Sequence, residues 1–119
     1  MSKTKVLIAG CSSPIIAMDL QNHLEEFSCK VNVIGELKNL IISVSLDKPD
    51  AVCIHFHEFT HDAIDLSRQI YERFQIPTIF MVNKDSFKDV IEGMQSDYII
   101  GCLDIPSNQK QVSYLLQQI

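Results

Sequence analysis

Short apolar runs alternate along the chain with longer segments in which apolar residues recur every three or four positions. The short runs are rich in β-branched residues and predict five strands, at residues 5–9, 30–34, 51–56, 78–82 and 99–103. The longer segments have the spacing of one helix face. Their apolar positions are Ile16, Leu20, Leu24 and Phe27; Leu37, Leu40, Ile41 and Val44; Ala63, Leu66, Ile70 and Phe74; Phe87, Val90, Ile91 and Met94; Val112, Leu115, Leu116 and Ile119. The pattern therefore predicts five successive strand–helix units.

Residues at the boundaries of these segments support the same division. Ser13 followed by Pro14 predicts a helix N-cap with proline at the first helical position, and Ser107 is predicted to cap the last helix. Pro49 and Pro77 stand just ahead of strands, where a missing N–H group is tolerated. Strands that are apolar on both faces belong to parallel sheets covered by helices, so the predicted class is α/β with an open, doubly wound sheet.

Composition and charge narrow the function classes. The chain has 119 residues, enough for one domain over residues 1–119, and its hydrophobic fraction of 46% is typical of globular proteins. A net charge of −5 with scattered basic residues argues against a nucleic-acid partner. No apolar run is long enough for a signal peptide or a membrane span, so no membrane partner is expected. Four sparse cysteines favour reduced thiols in a cytoplasmic protein.

Five short segments at the borders of the predicted strands are informative when they are taken together, in their order and spacing. They are Pro14-Ile-Ile-Ala-Met-Asp-Leu20, Lys48-Pro49-Asp50, Asp62-Ala-Ile-Asp-Leu66, Ile76-Pro-Thr-Ile-Phe80 and Gly101-Cys-Leu-Asp-Ile-Pro106. In order and spacing they resemble response-regulator receiver domains of the CheY-like superfamily over essentially the whole chain. The resemblance implies a flavodoxin-like (βα)5 fold with three αβα layers and strand order 2-1-3-4-5.

The same resemblance implies which residues occupy the receiver pocket, beyond the carboxyl ends of the strands. The metal-binding acidic pair falls on Cys11 and Ser12, or on Gly10 and Cys11 in the other register. His55 stands at the position of the phosphoacceptor aspartate, Val82 at that of the hydroxyl residue and Ile105 at that of the lysine. No carboxylate, hydroxyl or amine is therefore available at the acceptor, switch and lysine positions.

These replacements remove the metal site, the nucleophile and the charge-neutralising group together. We therefore expect a pseudo-receiver: a non-enzymatic module without Mg²⁺ or another cofactor, which contacts a protein partner such as a signalling kinase or regulator. The resemblance implies that the surface of the fourth helix, fifth strand and fifth helix makes such contacts. A homodimer through the same region is the other arrangement considered.

Two other functions stay open. Cys11 followed by Ser12-Ser13-Pro14 resembles the phosphocysteine loop of IIB components of sugar phosphotransferase systems, where a helix N-terminus lowers a thiol pKa. A small-ligand or soft-metal sensor could instead use His55 with Cys11.

Other ionisable residues near the predicted crevice have ordinary interpretations. His57 and His61 follow His55 in sequence but match no strong zinc spacing. Asp62 is expected to cap a helix, Asp50 to lie at the opposite end of the sheet, and Asp104 to be a solvated loop carboxylate.

Overall fold

The computed structural model describes residues 3–11, 13–56, 61–83, 85–94 and 97–119. Five parallel strands form one sheet in the order β2-β1-β3-β4-β5. The strands are β1 Lys5–Ala9, β2 Lys30–Ile34, β3 Ala51–Phe56, β4 Thr78–Val82 and β5 Ile99–Asp104. The helices are α1 Pro14–Glu26, α2 Leu40–Asp47, α3 His61–Phe74, α4 Asp85–Gly93 and α5 Gln109–Leu116. The predicted α/β class and strand order are confirmed.

Two apolar clusters lie on opposite faces of the sheet. One joins the sheet to α2, α3 and α4 and contains Leu40, Ile70 and Ile91. The other joins it to α1 and α5 and contains Leu20 and Val112. Successive residues of a strand point to opposite faces, so each central strand supplies both clusters. The result is the expected three-layer αβα arrangement.

The first helix begins as the sequence predicts, whereas the last does not. The Ser13 side chain accepts a hydrogen bond from the backbone N–H of Ile15, 3.2 Å away, and Pro14 is the first helical residue. Asn108, not Ser107, caps α5: its Oδ1 accepts from the N–H of Gln111 at 2.9 Å. The predicted cap was wrong because the Ser107 hydroxyl bonds to residues of α1 instead.

Other departures from the sequence pattern occur at the ends of elements. Phe27 ends α1 and is 40% exposed, and Ile119 lies beyond the end of α5 and is exposed to the same extent. A single turn of 3-10 helix, Leu37–Asn39, precedes α2. Within the part of the chain that the structure describes, no helix has the length and apolarity needed to cross a membrane.

Gly10 makes the turn that leads from β1 toward α1. Its φ of +71° is in the left-handed region, and a Cβ built on it would stand 3.0 Å from the Cδ2 atom of Leu37. Both features exclude a side chain here without a local shift.

We expect Gly10→Ala to lower the free energy of unfolding by about 1–2 kcal/mol, because alanine in the left-handed region is strained by that amount. Gly35→Ala is the matched control: nothing lies within 4 Å of its would-be Cβ. It should change stability by less than about 0.5 kcal/mol. Urea denaturation measures both, and equal effects of the two substitutions would contradict the assignment of strain to Gly10.

Candidate functional site

His55 lies near the carboxyl end of β3 and is one of the most buried polar residues described. Only 2% of its surface is exposed. Val52, Ile54 and Phe56 belong to the cluster beneath α2, α3 and α4, whereas Cys53 belongs to the cluster beneath α1 and α5. Because side chains alternate along a strand, His55 points to the same face as Cys53. The imidazole is therefore part of the α1/α5 side of the sheet.

The residues predicted to share a pocket with His55 divide between the two faces. Cys11 and Ile105 both pack, partly buried, against the α1/α5 cluster. Val82 belongs to the opposite cluster, although its carbonyl accepts a hydrogen bond from the N–H of Ile105 at 3.1 Å. Ser12 lies outside the described residues. The structure thus brings Cys11 and Ile105 to the face of His55 and turns the Val82 side chain away.

Burial changes the chemistry of the Cys11 thiol. Loss of solvent around it raises its pKa from 9.0 to about 11. A thiol with this pKa is almost entirely protonated at neutral pH, and the thiolate is the nucleophilic form. Burial therefore disfavours the thiolate that the phosphocysteine alternative requires.

The other three cysteines, Cys29, Cys53 and Cys102, are also free thiols. Burial raises the pKa of Cys53 and of Cys102 to about 12, and it raises the pKa of Cys29 as well. Cys53 and Cys29 are core residues of the α1/α5 cluster. None of the four has the lowered pKa that activates a catalytic cysteine.

Asp104 at the end of β5 has partners, contrary to its expected state as a solvated loop carboxylate. Its Oδ2 accepts from Nε2 of Gln111 at 2.9 Å, and its N–H donates to Oε1 of the same side chain at 3.1 Å. Its Oδ1 lies 3.6 Å from Nζ of Lys88 on α4. Sequence spacing could not show this, because the lysine comes from a different strand–helix unit. Asp104 thus connects β5 to both α4 and α5.

A polar group that sequence reasoning missed lies between α1 and the segment before α5. Ser107 donates its N–H and its hydroxyl to Oδ2 of Asp19, at 2.9 and 2.8 Å. The Ser107 Oγ is also 2.7 Å from Nδ1 of His23. Asp19 and His23 are one helical turn apart, which is a signal for a shared face, but nothing in the sequence indicates a partner 84 residues away.

The described residues do not form a metal centre. Among residues 3–11, 13–56, 61–83, 85–94 and 97–119, no group of three or more His, Cys, Asp or Glu side chains could hold a metal ion. Asp50 lies at the amino end of the sheet, as predicted, where it accepts from the N–H of Lys5 at 2.8 Å. His57 lies outside the described residues, as do the side chains of His61 and Asp62.

An open groove of about 310 Å³ runs along the surface between α4 and α5. Its lining residues are Lys88, Glu92, Ile100, Gly101, Cys102, Gln111, Tyr114 and Leu115. Tyr114 is 63% exposed. The groove therefore combines an aromatic side chain, a backbone stretch of β5 and charges of both signs.

Solved structures with the same arrangement include receiver domains and response regulators. A response regulator from Thermotoga maritima superimposes with a TM-score of 0.81 at 16% identity, covering 98% of this chain and 99% of that one. The signal receiver domain of a modulated diguanylate cyclase from Desulfovibrio desulfuricans G20 gives 0.76 at 15% identity, covering 98% and 93%.

The response regulator PhyR from Brucella abortus gives a TM-score of 0.77 at 23% identity, and this chain spans 47% of its length. No protein-family model matches the sequence. No curated protein matches it either. The expected resemblance to receiver domains is confirmed at the level of the fold.

We expect iodoacetamide to alkylate Cys11 at mildly alkaline pH at least about tenfold more slowly than an ordinary exposed thiol, because its raised pKa leaves little thiolate. Ser45→Cys, at an exposed position of α2, provides the reference thiol in the same molecule. Mass spectrometry of the peptides gives both rates. Faster alkylation of Cys11 than of the reference thiol would contradict the raised pKa and support the phosphocysteine carrier.

Proposed function

We propose that this receiver-fold chain is a signalling module that acts through protein contacts without being phosphorylated. The single observation that carries the proposal is the chemistry at the carboxyl ends of the strands, where the receiver pocket is expected. Cys11, His55, Val82 and Ile105 supply a protonated thiol, a buried imidazole and two hydrocarbon side chains. Phosphoryl transfer to a carboxylate needs the carboxylate itself, a divalent cation and a positively charged side chain.

Magnesium is not expected to bind at this end of the sheet. Mg²⁺ requires oxygen ligands, above all carboxylates, and keeps its waters unless they are replaced by such groups. Cys11 and His55 offer sulfur and nitrogen and no carboxylate oxygen, and Cys11 packs against an apolar cluster. We therefore propose that the module works without a cofactor.

The surface formed by α4, β5 and α5 is the proposed contact surface. The ion pair between Lys88 and Asp104 and the paired hydrogen bonds between Asp104 and Gln111 connect the three elements. Exposed Tyr114 stands beside the groove, and tyrosines at the centre of protein interfaces contribute strongly to binding. A signalling kinase or regulator is the proposed partner, and the reduced cysteines are consistent with a cytoplasmic encounter.

The observations favour this function over the two alternatives. A phosphocysteine carrier needs a thiolate at neutral pH, and the pKa of Cys11 is raised to about 11. A metal sensor needs three or four converging ligands, and the described residues contain no such group.

Addition of millimolar Mg²⁺ should leave the backbone amide signals of Cys11 and His55 unchanged in two-dimensional NMR spectra, because the described residues contain no group of three or more His, Cys, Asp or Glu side chains that could hold a metal ion. The Asp50→Asn protein is the control for weak binding of Mg²⁺ at the surface, because this substitution removes an exposed carboxylate at the opposite end of the sheet. Saturable shifts centred on Cys11 and His55, present in the variant too, would contradict the absence of a metal site.

A photo-crosslinking residue in place of Tyr114 should capture a partner protein in the source cells. Ile42 on α2 is the matched control position, since it is 64% exposed and belongs to a different face. Mass spectrometry identifies the product, and a product of twice the chain mass would make a second copy the partner. Capture at Ile42 but not at Tyr114 would contradict the proposed surface.

A further inference from the structure

We propose that Asp19, Ser107 and His23 form a hydrogen-bonded group, here called the strap, in which the direction of each hydrogen bond is fixed. The strap holds the segment after β5 against α1. This proposal is independent of the function proposed above. Ser107 lies 88 residues beyond Asp19 and 84 beyond His23, yet both contacts are short: 2.8 Å to the carboxylate and 2.7 Å to the imidazole. A second hydrogen bond of 2.9 Å joins the Ser107 N–H to the same Asp19 oxygen.

The arrangement of donors and acceptors determines where each proton lies. The Asp19 carboxylate only accepts, so the single hydroxyl proton of Ser107 is donated to it. The Ser107 oxygen is then an acceptor toward His23, and Nδ1 of His23 must carry the proton that completes the contact. The hydrogen bonds are therefore all donated in one direction: His23 donates to Ser107, and Ser107 donates to Asp19.

This order also decides what the three side chains can do. A serine nucleophile requires a histidine that accepts the hydroxyl proton. Here the Nδ1 of His23 already holds a proton, and the hydroxyl proton is directed to Asp19. The group is a positioning device and not a catalytic triad.

The strap acts on a short segment that leads back to the candidate site. Ile105 precedes Ser107 by two residues and packs against the α1/α5 cluster, to which Cys11 also contributes. The N–H of Ile105 is bonded to the carbonyl of Val82 at 3.1 Å. With its two ends held by β4 and by α1, the segment keeps Ile105 in the cluster. Because Ile105 and Cys11 pack against the same cluster, release of the segment is expected to change the exposure of Cys11.

The first test measures the proton order in the unaltered protein. Long-range ¹H–¹⁵N NMR distinguishes a protonated Nδ1 of His23 from a ring protonated only at Nε2. The strap requires a proton on Nδ1. A neutral His23 ring protonated only at Nε2 would overturn the proposal whatever the behaviour of any variant.

The second test measures access to Cys11. Ser107→Ala removes both hydroxyl contacts and should increase the alkylation rate of Cys11 about tenfold, the effect expected for two lost hydrogen bonds. Ser107→Thr keeps a hydroxyl and should restore slow alkylation. Ser113→Ala, on half-buried α5 surface outside the strap, is the control. Equal rates in the Ser107→Ala and Ser113→Ala proteins, both folded by circular dichroism, would overturn the expected change in the exposure of Cys11.

Discussion

Strand β3 is buried along all six of its residues, and the rest of the structure is arranged around it. It pairs with β1 on one side and β4 on the other, while helices cover both faces of the sheet. A charged side chain at its carboxyl end would lose hydration and would need a compensating charge within reach. Cys11 and Ile105, which pack on the same face, carry no charged side chain. His55, only 2% exposed, is the polar residue at this position.

Charged groups are instead found at the rim of the sheet, where they connect elements. Asp104 joins β5 to α4 through Lys88 and to α5 through Gln111. Asp19 joins α1 to the segment after β5 through Ser107. In this chain both carboxylates have partners that connect elements of the fold.

The strands and helices could be predicted from the sequence because they depend on local periodicity. The apolar run at β3 predicted burial on both faces of the sheet, and the Ser13-Pro14 pair predicted the start of α1. The opposite orientations of His55 and Val82 could also have been inferred, since their face follows from alternation along β3 and β4. The residue types of the candidate site were evident from the chain alone.

What could not be predicted depends on partners that are distant in sequence. Ser107 and Asn108 are both good capping residues, and the choice between them is made by Asp19, 88 residues away from Ser107. Asp104 was expected to be solvated because neither Lys88 nor Gln111 is marked as its partner by local spacing. The raised pKa of Cys11 follows from burial, which only the packed structure reveals.

The central claim is that this receiver-fold chain does not carry a phosphoryl group. The most direct measurement is the intact mass after incubation with Mg²⁺ and acetyl phosphate, beside Cys11→Ser and His55→Ala proteins. The account predicts an unchanged mass in all three samples. A phosphoryl adduct on the unaltered chain would contradict it, and the substitution that abolished the adduct would identify Cys11 or His55 as the acceptor.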